Sequence, residues 1–240
     1  MTQENLTVSK SLKVSKKEIL DDFLLMNISR NISYIGRKEV FMGRAKFGVF
    51  GDGKELPQIA MSKFFRNGDF RSGYYRDQTF MMSINQLTPD QFFAQLYAHT
   101  DIKKDPHSGG RQMNCHFGTR LLNENGDWKT QTDMMNSVSD ISCVSGQMPR
   151  IVGLAYASKL YRNNKNLSDM ENFSINGNEV VFGTIGDAST SEGHFWEAIN
   201  ACGVLQVPLV MSIWDDGYGI SVPSEYHTTR NDLSKALSGF

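Results

Sequence analysis

Two short apolar runs near the end of the chain, with a helix-length segment between them, constrain the fold most. Residues 179–185 read EVVFGTI and residues 208–214 read PLVMSIW. Both runs are rich in β-branched residues, which is typical of strands buried on both faces of a sheet. Between them, a capping-box pattern from Ser189 to Glu192 predicts a helix that continues to about Leu205. A strand, a crossover helix and a second strand form parallel neighbours, so the sequence predicts an α/β fold.

Carboxylates follow both predicted strands: Asp187 comes just after the first, and Asp215 and Asp216 come just after the second. Parallel neighbours end at one edge of the sheet, where open α/β sheets bind ligands. The helix N-terminus after Asp187 favours an anion such as a phosphate. Carboxylates beside an anion need a cation between them, and hard oxygen ligands indicate Mg²⁺ or Ca²⁺.

The same residues allow a second interpretation, which the sequence leaves open. Asp187 could cap the following helix, and Asp215-Asp216-Gly217 could form a tight turn, because these residue types favour turns. The two interpretations differ in what the side-chain oxygens contact, which a structure can distinguish.

Composition indicates a globular protein and excludes several classes of function. The chain has 240 residues and a formal net charge of −1, so it shows no sign of binding nucleic acid or a membrane surface. Its three cysteines lack CxxC spacing, which argues for a reducing compartment and against disulfides or a zinc site. Without a membrane-length apolar run or a secretory signal, we expect a cytoplasmic protein.

Upstream of the βαβ unit, the sequence predicts mainly helices and one long loop. A lead-in to about residue 14 precedes a helix that begins with a capping box at Ser15 and places Ile19, Leu20, Phe23, Leu24 and Ile28 on one face. Further helices are expected over 55–66, from Thr88-Pro89 onward, over 148–162 and near residues 231–240, with a loop over 101–119. We therefore divide the chain into residues 1–40, a lead-in and helix, and a domain over residues 41–240.

The stretch from Gly186 to Ser221 resembles the thiamine-diphosphate motif, which reads Gly-Asp-Gly and, after a spacer, Asn-Asn. More narrowly, SEGHFWEAINACGVLQVPLV followed by DDGYGIS is similar to the alpha subunit, or alpha half, of the E1 component of 2-oxo acid dehydrogenase complexes. The resemblance implies a thiamine-diphosphate-binding fold, with a parallel sheet covered by helices on both faces and preceded by an N-terminal helical segment. It also implies Mg²⁺ ligands and residues that line the diphosphate. The metal ligands would be Asp187, Asp216 and the backbone carbonyl of Tyr218, and the lining residues would be Gly186, Ala188 and Ile220.

Other segments carry the resemblance over about residues 40–230. FMGRAKFGVFGDGKELPQ is similar to an early glycine-rich turn followed by Glu-x-x-Gln, and YYRD implies that Tyr75 and Arg76 approach the cofactor. GGRQMNCHFGT places His116 at the family's histidine position and implies a catalytic role. ISCVSGQMPRIVGLAYASK implies that Ser142 and the backbone of Val144 contact the aminopyrimidine ring. Considered singly, these residues also fit ordinary roles: a core aromatic, a surface ion pair with Asp77 and a packed histidine.

The sequence departs from the family pattern at six positions. Ala188 replaces the third residue of Gly-Asp-Gly, and aspartates replace the Asn-Asn pair. Trp214 stands where some branched-chain members have a diphosphate-binding arginine, and Cys143 and Gly146 replace residues that surround a potassium ion in some relatives. The family's alpha chains also continue well past residue 240, so we expect a domain truncated at its C-terminal end.

The resemblance implies E1-type oxidative decarboxylation of a 2-oxo acid, with branched-chain substrates favoured over pyruvate. It implies thiamine diphosphate and Mg²⁺ as cofactors, and acyl transfer to the lipoyl group of an E2 acyltransferase. It also implies an E1 beta subunit or fused pyrimidine-binding half, in a homo- or hetero-oligomer. Two alternatives remain: a non-catalytic pairing domain that has lost cofactor binding, and another thiamine-dependent enzyme, such as a pyruvate or acetoin dehydrogenase.

Overall fold

The computed structural model describes residues 14–167 and 170–240, so most of the lead-in (residues 1–13) lies outside the described residues. Within the described ranges the chain forms seven α-helices and six short strands. The helices are α1 Lys16–Phe41, α2 Glu55–Ser62, α3 Gln78–Ser83, α4 Pro89–Leu96, α5 Met148–Asn163, α6 Gly193–Leu205 and α7 Leu233–Ala236. The strands are β1 Phe70–Ser72, β2 Asn136–Ser137, β3 Val181–Gly186, β4 Leu209–Trp214, β5 Tyr218–Gly219 and β6 Val222–Pro223. None of the described helices is long and apolar enough to cross a membrane.

Four strands form one parallel sheet in the order β2-β1-β3-β4. The predicted βαβ unit is confirmed: β3 and β4 pair in parallel over six residues, with α6 between them in sequence. The last pair in the register is Gly186 opposite Trp214. The two strands therefore end side by side, as the prediction of a shared edge requires.

Helices cover both faces of the sheet. Successive side chains of the buried strand β3 point to opposite faces, so they enter two different core clusters. Val181 and Ile185 pack with residues of α5 and α6, such as Ile151 and Phe195. Phe182 points the other way, into a second core cluster. That cluster includes residues from α1, α2, α3 and α4, among them Ile32, Met61, Phe80 and Phe92. This layering confirms the predicted α/β architecture with an N-terminal helical segment.

The N-terminal helix begins as predicted, but the apolar residues of its first turns are exposed. Ser15 accepts a hydrogen bond from the backbone N–H of Glu18, as the capping pattern predicted. The apolar residues Ile19, Leu20 and Phe23, however, are more than half exposed, whereas small side chains farther along are buried. Farther along, α1 meets α3 through Ser29, whose hydroxyl hydrogen-bonds to that of Thr79 at 2.6 Å. The predicted helix and its start at Ser15 are confirmed, and its contacts with the core come from residues farther along, such as Ile28 and Ile32.

The start of α6 also differs from prediction. The capping box from Ser189 to Glu192 is absent, because residues Ala188–Ser191 form a turn of 3-10 helix and α6 begins only at Gly193. At α4 the corresponding prediction is confirmed: Thr88 accepts from the N–H of Gln91, whose side chain accepts in turn from the N–H of Thr88.

A fully buried ionic cluster joins the carboxyl end of β1 to its neighbours. The guanidinium of Arg71 contacts Asp77 at 2.7 Å and Asp140 at 3.0 Å, and all three side chains are almost completely excluded from solvent. Asp77 also accepts hydrogen bonds from the indole N–H of Trp214 at 3.0 Å and from the hydroxyl of Thr184. One carboxylate thus links β1, β3 and β4 just below the edge where Asp187 and Asp216 lie.

Candidate cofactor-binding site

The ends of β3 and β4 bring the predicted carboxylates to one cavity. Asp187 and Asp216 both line a cavity of about 630 Å³ at the carboxyl edge of the sheet. Adjacent parallel strands lie about 4.8 Å apart, so residues that follow an in-register pair remain neighbours. Nine of the residues predicted to bind the cofactor or metal line this cavity: Tyr75, Arg76, Val144, Gly186, Asp187, Ala188, Asp216, Tyr218 and Ile220.

Asp187 does not behave as a helix cap. Its side chain makes no capping hydrogen bond, and its buried Oδ2 has no hydrogen-bond partner among the described residues. Burial raises the pKa of this carboxyl, and the negative charges of Asp216 and Asp215 raise it further. A buried acceptor without a donor is rare in folded proteins and calls for a missing partner such as an ion. Of the two interpretations, the capping role is wrong for this residue.

The two aspartates after β4 have different environments. Asp215 accepts from the N–H of Gly217 at 2.9 Å, which is the turn geometry that the second interpretation expected. Asp216 instead forms an ion pair with Lys54, whose Nζ lies 2.7 Å from Oδ2. Partial burial acts to raise the pKa of Asp216, but the hydrogen bond and charge of Lys54 outweigh it, so the pKa is lowered.

Arg76 is held at the cavity wall by its neighbours. Its Nε donates to the hydroxyl of Tyr74 at 3.1 Å, and its Nη1 donates to the backbone carbonyl of Phe50 at 2.6 Å. Gly51 permits this approach, since a Cβ there would lie 2.3 Å from the carbonyl oxygen of Arg76. The guanidinium keeps its charge at any ordinary pH and its geometry suits phosphate oxygens. Arg76 therefore is not part of a surface ion pair with Asp77, whose carboxylate belongs to the buried cluster.

Two predicted residues, His116 and Ser142, lie outside this cavity. They line a second, more apolar cavity of about 520 Å³, together with residues such as Phe47 and Met113. Tyr75, Arg76 and Ile220 line both cavities, so the two spaces meet along these three side chains. The predicted site is therefore divided into a charged part at the strand ends and an apolar part that contains the histidine.

His116 is buried and its tautomer follows from its contacts. Its Nδ1 lies 3.2 Å from the carbonyl oxygen of Asn114, which can only accept, so Nδ1 carries a proton. In the neutral ring Nε2 then accepts from the hydroxyl of Ser142 at 3.0 Å. The ring of Tyr75 stacks beside the imidazole, with the two centroids 6.2 Å apart. His116 thus reaches the cavity together with Ser142.

Ile220 has a backbone conformation that is unusual for a β-branched residue. Its φ is +58° and its side chain is fully exposed at the rim shared by the two cavities. A β-branched residue in the left-handed region is strained by about 1–3 kcal/mol, and such residues cluster at ligand sites. Because Ile220 would not adopt this conformation on its own, contacts with the surrounding structure must hold the backbone after Tyr218.

The Ala188 departure is matched by Gly219. Ala188 does not have a positive φ, and its methyl lies 2.7 Å from where a Cβ on Gly219 would be. We expect Gly219→Ala to destabilise the protein by about 1–3 kcal/mol through this overlap, and Ala188→Gly in the same chain to restore most of the loss. Urea unfolding of the three variants measures both effects. Equal stability of the single and double variants would contradict the pairing.

The donor set fits a divalent cation beside a diphosphate. The site offers two carboxylates and, next to them, the backbone of Tyr218, which leaves coordination positions for phosphate oxygens and water. In the described ranges no three or more His, Cys, Asp or Glu side chains converge on a possible metal position. This is expected of a site that uses only two side-chain ligands, and the unpartnered Oδ2 of Asp187 supplies the acceptor that a cation needs.

Two features of the site were missed by the sequence interpretation. Lys54 was not singled out, since its partner is 162 residues away in sequence. The one indication in the sequence is the glycine-rich turn before Lys54, since glycines often allow the backbone to approach another segment closely. The hydroxyl of Tyr74 was also missed, although it orients Arg76. Trp214, the position of the absent arginine, does not line the charged cavity, because its indole is buried against Asp77.

Comparison with known proteins identifies the family. The chain is 25% identical over 232 residues to the 2-oxoisovalerate dehydrogenase subunit alpha of Bacillus subtilis, covering 96% of this chain and 61% of that one. It is 27% identical over 199 residues to the mitochondrial subunit alpha of that enzyme in Caenorhabditis elegans, covering 83% and 38%. The human mitochondrial subunit is 25% identical over 217 residues, covering 90% and 41%. The chain thus spans about two fifths to three fifths of the length of these relatives. The profile of the dehydrogenase E1 component family matches residues 24–240, and the chain belongs to that family.

Proposed function

We propose that this chain supplies the diphosphate- and Mg²⁺-binding half of a thiamine-diphosphate-dependent E1 component that decarboxylates a branched-chain 2-oxo acid. The observation that carries the proposal is the buried Oδ2 of Asp187, which has no partner among the described residues, in a residue that lines the same cavity as Asp216. In this proposal Asp187, Asp216 and the carbonyl of Tyr218 bind Mg²⁺. Membership of the E1 family supports the choice of cofactor.

The remaining predicted residues have distinct roles in this proposal. Arg76 binds the diphosphate, Gly186 and Ala188 line it, and Ile220 holds the rim between the two cavities. Ser142 and the backbone of Val144 contact the aminopyrimidine end. Thiamine diphosphate, when bound, supplies the nucleophilic carbon and the electron sink that decarboxylation of a 2-oxo acid requires.

His116 is proposed to handle a proton next to the reacting groups. Its Nε2 can take a proton once the hydroxyl of Ser142 turns to another acceptor, while the carbonyl of Asn114 keeps Nδ1 protonated. The stacked ring of Tyr75 fixes the plane of the imidazole. The second cavity has apolar walls, which include Phe47, Val49 and Phe50 and suit an aliphatic side chain.

The proposal includes an E1 beta subunit or fused pyrimidine-binding half, and an E2 acyltransferase that receives the acyl group on its lipoyl arm. Three alpha-chain relatives named for 2-oxoisovalerate support a branched-chain substrate. All three cysteines of the chain are unpaired, which supports a reducing compartment, and we propose the cytoplasm.

The decisive experiment assembles the protein with its beta partner and adds Mg²⁺ and thiamine diphosphate. Ligand at about 100 times its Kd should stabilise the complex by about 2.7 kcal/mol, which raises the thermal midpoint. With an artificial electron acceptor, the complex should oxidise 3-methyl-2-oxobutanoate faster than pyruvate or acetoin. No shift in the midpoint would favour the non-catalytic pairing domain. A preference for pyruvate or acetoin would contradict the proposed branched-chain substrate but not the proposed cofactor.

A further inference from the structure

The pair Lys54–Asp216 joins two distant parts of the chain at the proposed metal site. Lys54 ends the glycine-rich turn just before α2, and its side chain is only 10% exposed, against 50% for Asp216. Many surface ion pairs are incidental, since exposed partners gain little from meeting. A nearly buried lysine that contacts a carboxylate 162 residues away is instead fixed by the fold.

The position of Lys54 is set by its neighbours on both sides. Gly51 packs against the backbone of Arg76, where a Cβ would not fit, and its N–H donates to Gln78 at 3.1 Å. Glu55, the residue after Lys54, is held by Arg30 at 2.7 Å. The ammonium is therefore directed to Asp216 before any ligand binds.

The two oxygens of Asp216 have separate environments. Oδ2 receives the ammonium of Lys54, while Oδ1 accepts only a long hydrogen bond of 3.3 Å from the N–H of Tyr218 among the described residues. An asparagine at this position would present one neutral oxygen to a metal. An aspartate presents the same oxygen with a negative charge, which repels a diphosphate nearby.

We propose that Lys54 and Asp216 act together as one net-neutral metal ligand, in which Lys54 cancels the charge that an aspartate adds beside the diphosphate. This inference rests on the proposed function and assigns to Lys54 a positioning role at that site. It also accounts for the tolerance of an aspartate at the second position of the Asp215-Asp216 pair. Arg76 lines the same cavity and also carries a positive charge, but its Nε and Nη1 already donate to the hydroxyl of Tyr74 and the carbonyl of Phe50.

The test is a double-mutant cycle in the assembled complex, read by calorimetric binding of thiamine diphosphate at saturating Mg²⁺. Lys54→Met should weaken binding at least tenfold, or about 1.4 kcal/mol, because the charge of Asp216 is then uncompensated. Asp216→Asn alone should change binding less than about threefold, and the double variant should bind within about threefold of Asp216→Asn. Lys54→Arg keeps the charge and should retain affinity.

Binding of Mn²⁺ alone gives a second readout, in which Lys54→Met should raise the affinity instead of lowering it. Without a diphosphate, loss of the lysine charge should strengthen binding of the bare cation to Lys54→Met several-fold, as Coulomb attraction requires. Lys63→Met is the matched control, since this lysine follows the other end of α2 and pairs with Glu18 and Asp22. The control should leave both affinities unchanged.

Three results would overturn the inference. Unchanged affinity for thiamine diphosphate in Lys54→Met would show that the charge is not needed. Equal losses with and without Asp216 would mean that Lys54 contacts the cofactor directly. Weaker or unchanged Mn²⁺ binding in Lys54→Met would contradict charge compensation even if the wild type binds no thiamine diphosphate. Failure of the wild type to bind that cofactor would count against the proposed function instead.

Discussion

Asp187→Ala is expected to abolish Mg²⁺-dependent binding of thiamine diphosphate, with a loss of at least about 100-fold, while the protein without ligand stays as stable as the wild type to within about 1 kcal/mol. The reason is that the side chain caps no helix and leaves a buried oxygen without a partner in the described parts of the chain. Its carboxylate is also repelled by Asp215 and Asp216, which contribute to its raised pKa. Calorimetry and urea unfolding measure the two quantities on the assembled complex.

Asp215→Asn is the matched control for this variant. It changes a carboxylate at the same edge of the sheet whose only proposed contact is the N–H of Gly217. We expect its affinity for the cofactor to change less than about threefold, because an amide oxygen can accept the same hydrogen bond. If Asp187→Ala destabilised the ligand-free protein by several kcal/mol, or if both variants lost binding equally, the assignment of Asp187 as a metal ligand would be wrong.

Arg71→Met should cause the largest loss of stability of any single substitution discussed for this chain. It leaves Asp77 and Asp140 buried without their shared cation, and removal of one partner from a buried ionic cluster costs about 3–5 kcal/mol. For a domain of this size that loss lowers the thermal midpoint by roughly 6–20 °C, at about 2–4 °C per kcal/mol. Differential scanning calorimetry of the assembled complex without cofactor measures the shift.

Arg44→Met gives the comparison at the surface. Arg44 pairs with Glu39 at 3.1 Å, but its side chain is 64% exposed, so its loss should cost less than about 1 kcal/mol. Similar midpoints for the two arginine variants would show that burial does not set the energy of the Arg71 cluster. Such a result would also remove the argument that this cluster holds the edge of the sheet in place.

The parallel sheet could be predicted because its signal is local. The β3 and β4 runs are continuous and apolar, and the segment between them has helical length, so the two strands are expected to be parallel neighbours that end at one edge. The packing of α1 could not be predicted in this way. Its apolar residues have helical spacing, but which face is buried depends on what the neighbouring helices offer, and Thr79 offers a hydroxyl to Ser29.

The candidate site could be predicted from the sequence only in part, for a similar physical reason. Asp187 and Asp216 could be predicted because they follow strands, and the end of an apolar strand can be located in the sequence. Lys54 acts through a tertiary contact, and nothing in its local sequence names its partner. The division into two cavities was also beyond the sequence, because it depends on how the side chains of Tyr75, Arg76 and Ile220 divide the space.

The hydrogen bond from Trp214 to Asp77 has a consequence for how related sequences diverge. Asp77 receives donors from three separate strands or their ends, and the indole is one of them. A homologue that replaces this tryptophan with a residue lacking an N–H at the same depth leaves the aspartate one donor short. We therefore expect positions 77 and 214 to covary in an alignment of close homologues, although 136 other residues separate them along the chain.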